Sequence, residues 1–231
     1  MNSINRTLNI LSYITASAAP VTPQVISNAL NIPVSTVYRL LAILINWEFV
    51  THAKQYGTYT VGAQSIKTQE KYYHHSLLMN SSQLELQALS KKTQETVAII
   101  TSNLCETICV DMIESSQALR CSFVIGRGNT LIKGASAKTL LAFRDEDYQS
   151  LVFETHKEQL PPPESITQLK NALMQIRQQG YGVSAPIFKG NDVIAVVSVM
   201  APEFRSTHRV DEFISETCKA AHNMTKLINM E

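Results

Sequence analysis

Apolar residues recur at helical spacing through the first third of the chain and at alternate positions in much of the remainder, and the two periods set out its elements in order. Ile4, Leu8, Leu11 and Ile14 fall at steps of three and four, which predicts a first helix with that face buried. Thr22-Pro23 opens a second helix that runs to Leu30: a hydroxyl suited to capping, then proline at the first helical position, where its missing N–H costs nothing. Asn31-Ile32-Pro33 ends it, because the residue before a proline is pushed out of the helical region. A third helix starts at Val34, with Val34, Val37, Leu41 and Leu44 on one stripe and Ser35, Arg39 and Ala42 on the opposite one. Phe49-Val50-Thr51-His52 and Thr58-Tyr59-Thr60-Val61 then alternate around Lys54-Gln55-Tyr56-Gly57, a β-hairpin with glycine where positive φ is needed.

Three helices and a hairpin in this order predict a winged helix-turn-helix over residues 1–62, and the polar side of the third helix has the chemistry to read DNA. Arg39 can bond a guanine edge bidentately, Ser35 and Thr36 can reach bases or phosphates, and Tyr38 flanks them. Thr22, Arg6 and the hairpin tip Lys54, Gln55 and Tyr56 are further expected DNA contacts, the hairpin lying along the phosphate backbone. Charge tempers this picture. The chain carries 20 Lys+Arg against 19 Asp+Glu, and residues 1–62 hold only Arg6, Arg39 and Lys54 against Glu48. Affinity grows with the number of phosphates neutralised, so one copy would bind weakly, and a homo-oligomer on a palindromic operator is expected.

With 231 residues there is room for a second domain. Residues 63–80 contain neither Gly nor Pro and predict a linker helix. Its His74 and His75 cannot share one helix face, so a solvated or packing role outweighs a metal site. Ser81 or Ser82 is expected to cap a helix carrying Leu84, Leu86 and Leu89. Beyond it, strands are expected at 96–101, 107–113, 119–125, 183–188 and 193–200. Helices are expected at 136–143, 146–154 and 165–178 and from about Thr207, so that residues 81–231 form an α+β domain with an antiparallel sheet. No apolar stretch is long enough to cross a bilayer and the N-terminus lacks a signal-peptide layout, so a cytoplasmic protein is expected. The four cysteines show no C-x-x-C spacing, and neither a metal nor a cofactor is expected.

Local strings along nearly the whole chain resemble the IclR family of bacterial transcriptional regulators. Ser35-Thr36-Val37-Tyr38-Arg39-Leu40-Leu41 is similar to that family's recognition helix and Gly57-Thr58-Tyr59-Thr60-Val61-Gly62 to its wing. Ile125-Gly126-Arg127, followed by Ala135, Lys138 and Leu140-Leu141-Ala142-Phe143, is similar to its effector-domain signature. Ile176-Arg177-Gln178-Gln179-Gly180-Tyr181 and Ala185-Pro186-Ile187-Phe188 match further stretches. The resemblance implies a repressor with a GAF-like C-terminal domain that binds a small organic acid and changes how a dimer, or dimer of dimers, sits on its operator. By the same matching, Cys121 on one strand, Gly134, Ala135 and Ser136 at a loop-to-helix junction, Ser198 and Met200 on the last strand, and Ser184 at the rim would hold the effector. Free N–H groups at that helix start would suit a carboxylate; the alternative is that Gly134 and Ser136 simply form a cap.

The chain departs from the family pattern in two places. Gly182-Val183-Ser184 runs almost directly into Ala185-Pro186, without the acidic loop and strand of relatives, and Ile132 stands where they often have histidine. A differently shaped ligand, an open pocket or a ligand-independent regulator therefore stay open. Two rival classes have less support in the residues. A thiol redox sensor would use Cys105 and Cys109, whose spacing and surroundings do not favour it. A GAF-domain enzyme would need a cysteine nucleophile and a base, but His156, His208 and His222 are scattered and no nucleophile elbow or phosphate loop occurs.

Overall fold

The computed structural model describes residues 2–160, 163–180 and 184–230. The chain divides into two compact units, Met1–Ser76 and Leu77–Glu231.

In the first unit, helix α1 (Ser3–Ala16) is capped by Asn2, whose side chain accepts from the Asn5 N–H. Helix α2 (Pro23–Leu30) opens as the sequence requires, with the Thr22 hydroxyl accepting from the Val25 N–H at 3.3 Å and proline at the first turn. Asn31 then takes the left-handed conformation, φ 51°, and the N–H groups of Asn31 and Ile32 both donate to the Ser27 carbonyl. The Ser27 hydroxyl returns a bond to the Ile32 carbonyl at 2.7 Å, so the turn is closed from both sides. Helix α3 (Val34–Asn46) starts directly after Pro33, and the chain bends by 114° between α2 and α3. Strands β1 (Val50–His52) and β2 (Tyr59–Val61) form the hairpin, with Gly57 at φ 73°. Val21 and Tyr59 exchange N–H···O bonds of 3.0 and 2.9 Å, which sews the wing to the segment entering α2.

Ile10, Ile14, Ile26, Val37, Leu40, Leu41 and Leu44 form the core of this unit with Val50 and Tyr59. The buried stripe of α1 differs from the expected one: Ile10 and Ile14 are inside, while Ile4 and Leu8 are 69 % and 55 % exposed. Helix α1 carries two overlapping apolar stripes, and only contact with α2 and α3 selects between them. In α3, Leu40 joins the seam and Val34 is half-buried.

Helix α4 (Gln64–His75) ends at Ser76, which is extended, and helix α5 (Leu77–Thr93) begins one residue later. The expected helix over 63–80 is therefore two helices with a break. Neither Ser81 nor Ser82 is a cap; both lie buried inside α5, where the Ser82 hydroxyl donates back to the Met79 carbonyl.

The second unit is built on a four-stranded antiparallel sheet, order β4-β3-β6-β5. Its strands are β3 (Thr96–Asn103), β4 (Glu106–Ile113), β5 (Ser184–Lys189) and β6 (Asp192–Met200). Central β3 is buried on both faces from Val97 to Ile100, hence its unbroken apolar run. Helix α5 and the last helix α10 (Val210–Ile228) cover one face. Helix α6 (Ala135–Ala142) packs on the other with α8 (Pro163–Gln179) against it. Helix α7 (Glu146–Thr155) and a short helix α9 (Glu203–Ser206) complete the set. The expected strand at 119–125 is absent. Only the residues after it run beside β4, where the Thr107 and Cys109 N–H groups donate to the Asn129 and Arg127 carbonyls and Gly126 N–H donates to the Cys109 carbonyl. Upstream, the Cys121 carbonyl is taken by the Thr96 hydroxyl instead of a strand neighbour.

At the base of the wing, a Cβ on Gly62 would lie 2.1 Å from the Glu48 carbonyl oxygen, whereas one on Gly57 would meet nothing within 4 Å. Gly62→Ala is therefore expected to destabilise the first unit by about 1–3 kcal/mol, the scale of overpacking. Gly57→Asn keeps a residue tolerant of positive φ and should cost less; equal melting shifts for the two variants would contradict the close approach at Gly62 as the cause.

Candidate functional site

In the first unit the aliphatic side of α3 is sealed in the core and the opposite side is open. Ser35, Arg39 and Ala42 are exposed there as expected, and Asn46 extends the row. Thr36 is half-buried on one flank and Tyr38 is exposed on the other. Burial raises the Tyr59 phenol pKa above its ordinary value, with the phenols of Tyr38 and then Tyr56 adding to the rise. Tyr56, Lys54 and Gln55 are exposed at the tip, and the Thr58 N–H and hydroxyl both donate to the Gln55 carbonyl, fixing the turn. Arg6 is half-buried on α1, and Thr22 is engaged as the α2 cap. Among the described residues no carboxylate forms an ion pair with Arg6, Arg39 or Lys54. Asn46 escaped the sequence pattern because it sits at the helix end, where phase alone is a weak guide.

In the second unit a cavity of about 520 Å³ opens where α6 starts. Gly134, at φ 89°, is the residue before the helix, and among the described residues no side chain caps the first turn, so there its N–H groups lack the usual internal partner. The Ser136 hydroxyl lies 2.9 Å from that of Ser198 and 3.2 Å from that of Ser184, and the latter two are 2.6 Å apart. Three hydroxyls from α6, β5 and β6 thus close a triangle at the cavity wall. The cap reading of Ser136 does not describe it, since its hydroxyl is spent on the other two serines. Gly134, Ala135, Met200 and the three serines all line the cavity.

Cys121 does not line it. It sits in the irregular segment at residues 119–125, beside the Arg205 guanidinium that forms a bidentate pair with buried Glu95 at 2.6 and 2.8 Å. Nor does Ile132, which is buried in the core under α6. Of the shortened segment before Ser184, residues 181–183 lie outside the described residues.

Several lining residues were not foreseen. Phe123, Val210, Phe213 and Ile214 supply apolar wall, and Arg127 and Lys133 bring cations. Arg127 stands between Gly126, at φ 82°, and Gly128, whose Cβ would lie 2.0 Å from the Thr107 carbonyl oxygen. That Gly-Arg-Gly string was the available signal: Gly126 supplies a positive φ and Gly128 a close approach to β4 that a side chain would block, so the arginine's backbone lies against that strand. Cys109 also reaches the cavity, but burial and then the Asp111 carboxylate push its thiol up to about 11, the opposite of an activated nucleophile. Cys105 instead places its sulfur 3.5 Å from the Thr155 hydroxyl. Among the described residues no group of three or more His, Cys, Asp or Glu could hold a metal ion.

Comparison with known proteins finds matches to both units of the chain. Residues 3–53 match the model of the IclR helix-turn-helix domain, and residues 70–226 match that of the bacterial transcriptional regulator IclR C-terminal domain. The HTH-type transcriptional repressor AllR of Escherichia coli (strain K12) is 26% identical over 231 residues, covering 93% of this chain and 84% of that protein. A crystal structure of an IclR transcriptional regulator from Silicibacter sp. TM1040 superposes with TM-score 0.86 at 18% identity, covering 99% of this chain and 96% of that one. An IclR homolog from Microbacterium hydrocarbonoxydans, complexed with 4-hydroxybenzoate, superposes with TM-score 0.75 at 14% identity and covers 100% of both chains. With an open recognition helix on one unit, a serine-lined cavity on the other, and family models matching both, the chain belongs to the IclR family of DNA-binding transcriptional regulators.

Proposed function

We propose that the protein is a repressor that binds a palindromic operator as a dimer or dimer of dimers, and that a small organic acid bound in the cavity of the second unit alters that binding. The observation that carries the effector half is the uncapped start of α6 meeting three hydroxyls in a largely apolar cavity. Free N–H groups and the helix dipole favour a carboxylate, the hydroxyls orient it, and the apolar wall takes the remainder of a small metabolite. The named activity of AllR as a repressor and the 4-hydroxybenzoate bound to the Microbacterium protein support this reading. For the DNA half, the support is the exposed Ser35–Arg39 row on α3 with the wing beside it. Three cations against one acid in residues 1–62 favour paired copies, since each adds few phosphate contacts.

Footprinting on genomic fragments selected by the purified protein should show a site with two symmetric halves, and protection of a single unrepeated half would remove the oligomer. On that site Arg39→Ala is expected to lower operator affinity about tenfold or more while leaving binding to unrelated DNA unchanged, because a bidentate base contact carries sequence information. Lys54→Ala should weaken all DNA alike and reduce the salt slope by about one per subunit. Identical behaviour of the two variants would erase the division between base reading and backbone grip. In calorimetry, at least one of a set of small monocarboxylates including 4-hydroxybenzoate should bind the full chain, and Ser136→Ala should weaken it about tenfold. Flat traces for the whole set would overturn the effector half.

A further inference from the structure

The geometry points to a cavity ligand with two anionic ends, one held at the start of α6 and the other by Arg127 and Lys133. This rests on the effector reading above and narrows it to a class: a dicarboxylate, or an acid bearing a second anionic group across a short apolar spacer.

Charge sets the class. Arg127 and Lys133 both line the cavity and are exposed, and among the described residues no Asp or Glu lines it with them. Neither cation forms an ion pair or side-chain hydrogen bond with the described residues, a state they share with Arg177, which does not line the cavity, whereas Arg120, Arg144, Arg205 and Arg209 of the same unit are engaged, with Glu114, Ser102, Glu95 and Glu212. The polar groups of the cavity thus form two sets. One is the inner set, the first turn of α6 with Ser136 and the buried Ser184 and Ser198. The other is the exposed pair of cations, Arg127 beside β4 and Lys133 in the loop that leads into Gly134. Apolar side chains, among them Phe123, Met200 and Phe213, make up much of the remaining wall.

A monoanion needs only the inner set. The N–H groups of one helix start with a neighbouring hydroxyl can satisfy a single carboxylate, and the dipole supplies about half a charge of the matching sign. Two further cations without partners would then face an uncharged end of the ligand. A second anionic group resolves this, and a guanidinium offers it two parallel N–H donors. The backbone of Arg127 is held in place: its carbonyl accepts from the Cys109 N–H at 2.9 Å, and Gly128 beside it approaches β4 more closely than a side chain would allow. The cavity of about 520 Å³ accommodates both ends of such a molecule.

Calorimetry on the full chain tests the inference with defined probes: the α,ω-dicarboxylates from malonate to pimelate, each set against the monocarboxylate of equal carbon number. The expected result is one preferred dicarboxylate length that binds at least about tenfold more tightly than its monocarboxylate partner, the scale of one charge-assisted pair. Arg127→Gln is expected to bring that dicarboxylate down to about the monocarboxylate level and to weaken the monocarboxylate far less, while Ser136→Ala should weaken both. Lys133→Gln serves as a second variant on the same end, should Arg127→Gln disturb folding. If monocarboxylates bind as tightly as dicarboxylates, or if neither cation variant discriminates between them, the two-ended ligand is wrong and the single-carboxylate effector stands. If no acid of either series binds, both readings fall together.

Discussion

The aliphatic seam of α3, in which Val37, Leu40, Leu41 and Leu44 pack with Ile10, Ile14 and Ile26, leaves that helix no rotation that keeps both its burial and its polar row. Turning α3 by one residue position would lift several of these side chains into water at about 1.5–3 kcal/mol each. The orientation of Ser35 and Arg39 toward solvent is therefore a consequence of core packing. It is reinforced at the turn by the αL Asn31 and by the Ser27 bonds, and at the wing by the Val21–Tyr59 pair. A surface with few charges can read DNA on such a frame because its donors are held in place before DNA arrives.

The second unit uses a different device, polar groups that the fold leaves uncapped or pairs only with one another. The first turn of α6 has no capping side chain, and the serines of α6, β5 and β6 satisfy one another in a triangle. A ligand that recruits Ser136 must break part of that triangle, and Ser184 and Ser198 sit on neighbouring strands of the sheet on which α6 rests. Ligand chemistry and sheet packing are joined at that point. Half-buried Arg205 forms a bidentate pair with buried Glu95 and so ties α9 to the residue that leads into β3.

The parts of the fold readable in the sequence were those written in local chemistry. Thr22-Pro23, Asn31-Ile32-Pro33 and Gly57 each require a particular backbone, and the elements they bound, α2, α3 and the hairpin, stand where the pattern puts them. The α6 start was legible from Gly134 for the same reason. What failed depended on partners far along the chain. The phase of α1 is set by α2 and α3, because Ile4-Leu8 and Ile10-Ile14 are equally good helical stripes. The break at Ser76 carries no Gly or Pro, and Ser81 and Ser82 look like caps until the neighbours that bury them are known. Residues 119–125 have strand-forming side chains, yet Thr96 captures the Cys121 carbonyl and the Asp111 side chain takes the Met112 N–H on β4, so no ladder forms there. Cys121 was lost to the cavity with that strand. Arg127 was gained because Gly128 presses the next stretch of chain onto β4.

DNA recognition as proposed depends above all on the Ser35 side of α3 entering the major groove. A DNA-cleaving iron chelate tethered to Ser35→Cys, in a chain whose four native cysteines are replaced by serine, tests it most directly. Cleavage clustered within the protected operator, as two patches about one helical turn or a small multiple of it apart, is the predicted result. Cleavage absent from the operator, or no stronger than that from the same chelate placed on the buried-side neighbour Val34→Cys, would contradict it.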